Sequence, residues 1–171
     1  QAPHLITQVT TTAATTADVQ VTHRIQAHLA AQHRTPATHL LDTGYIDAAQ
    51  LLSSQDIYGI DIVGPVLPDS SWQARAQQGF DISHFEVNWE QQQARCPLGH
   101  LSHTWKPSTD RRGHDTVTIT FADSTCQACD HRRQCTRSQK QGRVITLRPK
   151  RQHQILQQVR QAQTTASFQQ C

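Results

Sequence analysis

The sequence predicts an α/β protein carrying a small β-rich insert, and three observations lead there. Apolar runs of strand length alternate with helix-period segments through the first 66 residues, the order of strands laid in a sheet with helices packed on it. From residue 67 the texture changes to turn residues and short alternating strands, and four of the five cysteines fall in this part. From residue 143 an apolar run and a last helix-period segment return. The expected organisation is therefore residues 1–66 for the first part of the core, 67–142 for the insert and 143–171 for a return strand and helix.

Taken in order, residues 4–9 (His-Leu-Ile-Thr-Gln-Val) read as a strand. From Asp18 the period changes: Val21, Ile25 and Leu29 are spaced by four and share one helical face, with Asp18 as the expected cap and Pro36 after the end. Residues 38–41 then form a short strand. Gly44 permits a sharp turn, and Asp47-Ala48-Ala49-Gln50 has the form of a capping box, opening a helix that Gly59 stops. Residues 60–63 are a second short strand, ended by Gly64-Pro65. Residues 67–79 read as a loop anchored by Trp72. Phe85, Val87 and Trp89, then Val117, Ile119 and Phe121, alternate with polar residues as half-buried strands do. Residues 143–147 re-enter the core as a strand, and after Pro149 a helix presents Ile155, Val159, Ala162 and Ala166 on one face. The many glutamines are scattered and read as exposed filler.

The second strand, residues 38–41, delivers Asp42 to its tip. Asp47 is committed to a helix cap, whereas Asp42 has no evident structural duty, although a strand-ending Asp is commonly a turn former. Its setting, Leu41-Asp42-Thr43-Gly44-Tyr45-Ile46-Asp47-Ala48, resembles the DDE transposases of bacterial insertion sequences. So do Ile62-Val63-Gly64-Pro65-Val66 and Pro68-Asp69-Ser70-Ser71-Trp72-Gln73-Ala74-Arg75 behind it. The likeness extends over essentially the whole chain. It implies an RNase H-like core cleaving and rejoining DNA with Mg²⁺, and Asp42 as the second of three metal-binding acids. On this reading the first acid lies on a strand upstream of Gln1 and the third, a glutamate, lies on a helix beyond Cys171. The absence of any methionine, position 1 included, points the same way, to an internal piece of a longer product or a degraded copy of one, which the missing acids would leave inactive by itself.

The cysteines form a second constellation. Cys126 and Cys129 are a C-x-x-C pair, Cys135 follows six residues later, and Cys96 comes from a separate loop. Such a pair holds two thiolates near one ion, and the other two complete a tetrahedral set suited to Zn²⁺. Two alternatives stay open: His100 in place of Cys96, and an iron-sulfur cluster in place of zinc. With no sign of export, disulfides are not expected. Cys171 is assigned nothing.

Charge is unevenly placed. Residues 1–95 hold 4 Lys and Arg against 9 Asp and Glu, whereas residues 96–171 hold 12 against 4. Between positions 131 and 151 stand Arg132, Arg133, Arg137, Lys140, Arg143, Arg148, Lys150 and Arg151 with no acid among them, a pattern suited to DNA phosphates. No run is long and apolar enough to span a membrane, no signal peptide is evident, and no Gly-rich phosphate loop or Gly-x-Ser-x-Gly nucleophile setting occurs. A cytoplasmic enzyme acting on chromosomal DNA, oligomeric when assembled there, is the expectation. The competing reading is a zinc-stabilised, non-enzymatic nucleic-acid-binding module in which Asp42 only makes a turn.

Overall fold

The computed structural model describes residue 6, residues 9–165 and residue 168. Most of the strand expected over residues 4–9 lies outside the described residues, as do Ala166 and Cys171. The chain divides into two compact units, Gln1–Leu67 with Gln154–Cys171, and Pro68–His153. Each has its own core, and the mixture of helices and small sheets is α/β in class. Among the described residues, no helix is long and apolar enough to cross a membrane.

In the first unit, α1 (Asp18–Ala31) buries Val21 and Leu29 as their spacing predicts. Ala17, not Asp18, stands at its N-cap and makes no side-chain cap bond. Strand β1 (Thr38–Leu40) pairs in parallel with β2 (Asp61–Val63), His39 lying opposite Ile62. The Leu41 amide donates to the Val63 carbonyl at 3.0 Å, carrying the pairing to the residue before Asp42. Between the strands runs α2 (Ala48–Tyr58). Asp47 caps it by accepting from the Gln50 amide at 2.7 Å, and Gly59 ends it at φ +65°, where a β-carbon would be strained. Ile46, Leu51, Ile62 and Val66 form the core, joined by Leu41 and by Ile155, Leu156 and Val159 of α6 (Lys150–Ala162). Two hydrogen bonds from the Arg160 guanidinium to the Leu67 carbonyl, at 3.1 and 3.0 Å, hold the helix there.

A polar cluster occupies the other side of α1. Thr22 and Gln26, one turn apart, are buried, as are Gln50 and Ser54 on α2. The Gln26 Oε1 accepts from the Ser54 hydroxyl at 2.7 Å and from the Gln50 amide at 3.1 Å, and that same amide also donates to Ser54 Oγ at 2.8 Å. These glutamines are structural, against the expectation of exposed filler. Burial of their amides is tolerated because each polar atom finds a partner.

The second unit is β-rich. Strands β3 (Glu86–Asn88) and β4 (Gln93–Arg95) form an antiparallel hairpin. β5 (Thr104–Thr109), β6 (Asp115–Thr120) and β7 (Val144–Leu147) make an antiparallel sheet in the order β5-β6-β7. Its apolar face brings Val117, Ile119, Ile145 and Leu147 onto Phe85, Ala94 and Phe121. On its other face Ser108 bonds the hydroxyls of Thr116 and Thr118. Two differences from expectation follow from tertiary pairing. Residues 143–147 do not return to the first core as a strand: β7 pairs with β6, Ile145 opposite Ile119 and Leu147 opposite Val117, which buries these two side chains and leaves Val144 exposed. Residues 67–79, expected as a loop, contain the short helix α3 (Trp72–Ala76), capped by the Ser71 hydroxyl on the Ala74 amide.

Candidate functional site

Asp42 stands where the sequence places it, exposed at the carboxyl end of the parallel pair, which is where open α/β sheets present their ligand-binding groups. The approach of the strands there depends on Gly64. A β-carbon on it would lie 2.0 Å from the Leu41 carbonyl oxygen and 2.5 Å from Ile46 Cδ1, so no other residue fits without moving backbone. After Asp42 the chain makes a single 3-10 turn over Thr43–Tyr45. Asp42 does have a structural duty, contrary to expectation: its Oδ1 accepts from the Thr43 amide at 2.7 Å. Thr22 Oγ1 donates to the Tyr45 carbonyl at 3.3 Å and ties this turn to α1.

The four cysteines converge in the second unit. Cys96, Cys126, Cys129 and Cys135 line one cavity of about 30 Å³, with the His100 ring on its wall. None is in a disulfide. Each is held by a backbone turn. The Cys96 amide donates to the His100 carbonyl at 2.8 Å and the Gly99 amide returns to the Cys96 carbonyl at 2.9 Å, a loop that Gly99 closes at φ +85°. Cys126 lies in α4 (Asp123–Gln127), and the Cys129 amide donates back to its carbonyl at 3.4 Å. Cys135 ends α5 (Arg132–Cys135), and its carbonyl accepts from Gln73 Nε2 at 2.8 Å and from the Arg143 guanidinium at 2.6 Å. Burial pushes the Cys135 thiol up to about 11; Arg143 pulls the other way, and the three neighbouring cysteines add to the rise. The backbone thus gathers the thiols round one space. Among the described residues, however, no three His, Cys, Asp or Glu side chains stand close enough as placed to hold a metal ion.

The basic run does not act as one surface. Arg132 and Arg143 turn inward onto the cysteine cavity, and the Nε of each is buried without a hydrogen-bond partner. Arg132 also donates to the Ser138 carbonyl at 2.9 Å, and Arg143 lies over the Phe85 ring at 5.6 Å. Arg148 pairs with Asp110 at 3.2 Å, and Lys150 with Glu90. Arg137 stacks on the Trp72 ring at 4.7 Å. Arg133, Arg137, Lys140, Lys150 and Arg151 are exposed. Sequence reasoning missed the inward pair, which looks no different from its neighbours in a list of charges, and the Gln26 cluster, whose only signal is the one-turn spacing of Thr22 with Gln26 and of Gln50 with Ser54.

Residues 95–171 match a family model described as a transposase DDE domain. Over this stretch the chain is similar to that family. The matched transposase segment contains all four converging cysteines and the whole basic run, while Asp42 lies before it. The likeness points to DNA as partner and divalent metal ions as cofactor. No curated protein and no solved structure matches the chain.

Proposed function

We propose that this chain is part of a DDE transposase of an insertion sequence, with Asp42 as one of its metal-binding acids and β1, α2 and β2 as a piece of an RNase H-like core. The observation that carries the reading is an exposed carboxylate at the carboxyl end of a parallel strand pair, in a chain whose residues 95–171 match a transposase DDE-domain model. A carboxylate oxygen is the donor that Mg²⁺ takes, and the exposure of Asp42 leaves room for the ion's remaining waters and a DNA phosphate. Magnesium would supply charge neutralisation at the attacked phosphate and an activated attacking oxygen. Asp42 would orient that ion, with Gly64 and the Thr43–Tyr45 turn fixing where its carboxylate points. Two hard cations need more than one carboxylate, so the 171-residue chain alone should not cut or join strands. The exposed cations Arg133, Arg137, Lys140 and Arg151 would meet the DNA backbone, in the cytoplasm and in an assembled complex.

One observation favours the competing, non-enzymatic nucleic-acid-binding reading: Asp42 caps the turn that follows it. Asp42→Asn separates the two, because an asparagine oxygen can accept from the Thr43 amide while the ligand charge is lost. In the transposase that contains this chain, Asp42→Asn should leave folding and DNA binding intact and abolish metal-dependent cleavage. Undiminished cleavage by the variant would overturn the assignment of Asp42.

A further inference from the structure

The cysteine cavity carries an inference independent of the strand-cleaving reading. We infer that Cys96, Cys126, Cys129 and Cys135 bind one zinc ion, which closes the small β-rich unit. Three observations lead to it. First, the thiols come from three separate backbone turns yet line the same cavity, so the fold rather than local sequence brings them together. Second, the supporting turns are built tightly: Gly99 takes a left-handed conformation, and Gly79 abuts the chain beside Cys135 so closely that a β-carbon would lie 2.5 Å from the Gln134 carbonyl oxygen.

The third observation is charge. Arg132 and Arg143 line the cavity with buried, unpartnered Nε atoms. Each guanidinium bonds one backbone carbonyl, Ser138 for Arg132 and Cys135 for Arg143, but the buried Nε of each has no acceptor, a costly arrangement for buried charge. Four thiolates around Zn²⁺ carry a net charge of about −2, which two guanidiniums balance. Metal binding releases one proton for each thiol that ligates, and no electron is transferred. The arginines are thus positioning residues for the thiolate set, which accounts for two members of the basic run turning away from solvent.

Zinc suits a closed site of four sulfurs at about 2.3 Å, and metal analysis separates it from an iron-sulfur cluster. His100 lines the same cavity on the loop that already contributes Cys96, and its substitution separates the two ligand sets.

The test is elemental analysis of the purified chain together with cobalt substitution. About one zinc per chain is expected, and Co²⁺ added to the chelated protein should give the intense absorption of tetrahedral cobalt-thiolate coordination. Cys129→Ser should lose the metal and the full spectrum, and His100→Ala should keep both. Should Cys129→Ser not fold, the wild-type cobalt spectrum decides, since four sulfur ligands and three differ in it. Iron with acid-labile sulfide in anaerobically purified protein would overturn the inference in favour of a cluster. A metal-free chain with an ordered second unit and no cobalt-thiolate bands would overturn it altogether. None of these readouts depends on DNA cleavage, so this inference and the assignment of Asp42 fail separately.

Discussion

Replacing Gly64 by alanine tests whether close strand approach places Asp42. The added carbon would sit 2.0 Å from the Leu41 carbonyl oxygen and 2.5 Å from Ile46 Cδ1. Contact with a methyl group ordinarily begins beyond 3.4 Å, so the strands must part by more than an ångström. Ile46 can yield by rotating, but Leu41 cannot, because the clash is with its backbone. Parting the strands strains the packing of Ile62 and Val66 and stretches the Leu41 to Val63 hydrogen bond of 3.0 Å. Overpacking costs about 1–3 kcal/mol and the hydrogen bond about 1 kcal/mol, so a loss of about 2–4 kcal/mol is expected. Gly59→Ala is the control. Nothing lies within 4 Å of its added carbon, so only the left-handed backbone is penalised, by about 1 kcal/mol. All three tryptophans lie in Pro68–His153, so their fluorescence would miss the event. Hydrogen exchange at the Leu41 and Asp61 amides, which donate across the strand pair, reads the right unit in a urea series. A Gly64→Ala protein within about 0.5 kcal/mol of wild type, or one less damaged than Gly59→Ala, would refute the argument.

Two further outcomes follow from side-chain placement. Burial lowers the pKa of His39 below its ordinary 6.5, so the unfolded chain takes up a proton there before the folded one does. The stability this contributes is complete above pH 6.5 and is lost as pH falls below it; His39→Gln should flatten that part of the pH–stability curve of the first unit, and an unchanged slope would place His39 in solvent. For DNA, Arg133→Gln, Arg137→Gln and Lys140→Gln together should reduce the slope of log affinity against log salt, by up to about 0.9 for each cation that meets a phosphate. Arg132→Gln and Arg143→Gln should instead loosen the cysteine region in limited proteolysis; a reduced salt slope without loosening would return that pair to the DNA surface.

What could be read from sequence was local. Asp47 and Gly59 bound α2 as their spacing said, because a cap and a left-handed stop act within a few residues. The C-x-x-C turn that pairs Cys126 with Cys129 is likewise a local device, whereas Cys96 and Cys135 reach the same cavity only through the fold. What escaped was settled by partners distant in sequence. The four residues of β7 carry the period of a strand but nothing that selects β6 as neighbour. Helix α3, at five residues, is too short to show a period at all. Asp42 departed from expectation at a single hydrogen bond to the Thr43 amide, and α1 began one residue early, with Ala17 at its N-cap and no side-chain cap bond. Arg132 and Arg143 became distinguishable from Arg133 only once the cavity behind them existed.

The Gln26 cluster has a consequence for how the tip of β1 is aimed. Apolar side chains are indifferent to a partner's azimuth, and a helix resting on leucines alone can roll by a fraction of a turn at little cost. Amides are not indifferent. With Gln26 Oε1 accepting from both Ser54 and Gln50, its nitrogen is left to face His39 Nδ1, at 3.4 Å, so α1 engages α2 and β1 at a single rotational setting. One turn earlier on the same face, Thr22 grips the carbonyl of Tyr45. The helix is keyed like a shaft, and the torque it resists would otherwise be spent on turning the Asp42 carboxylate.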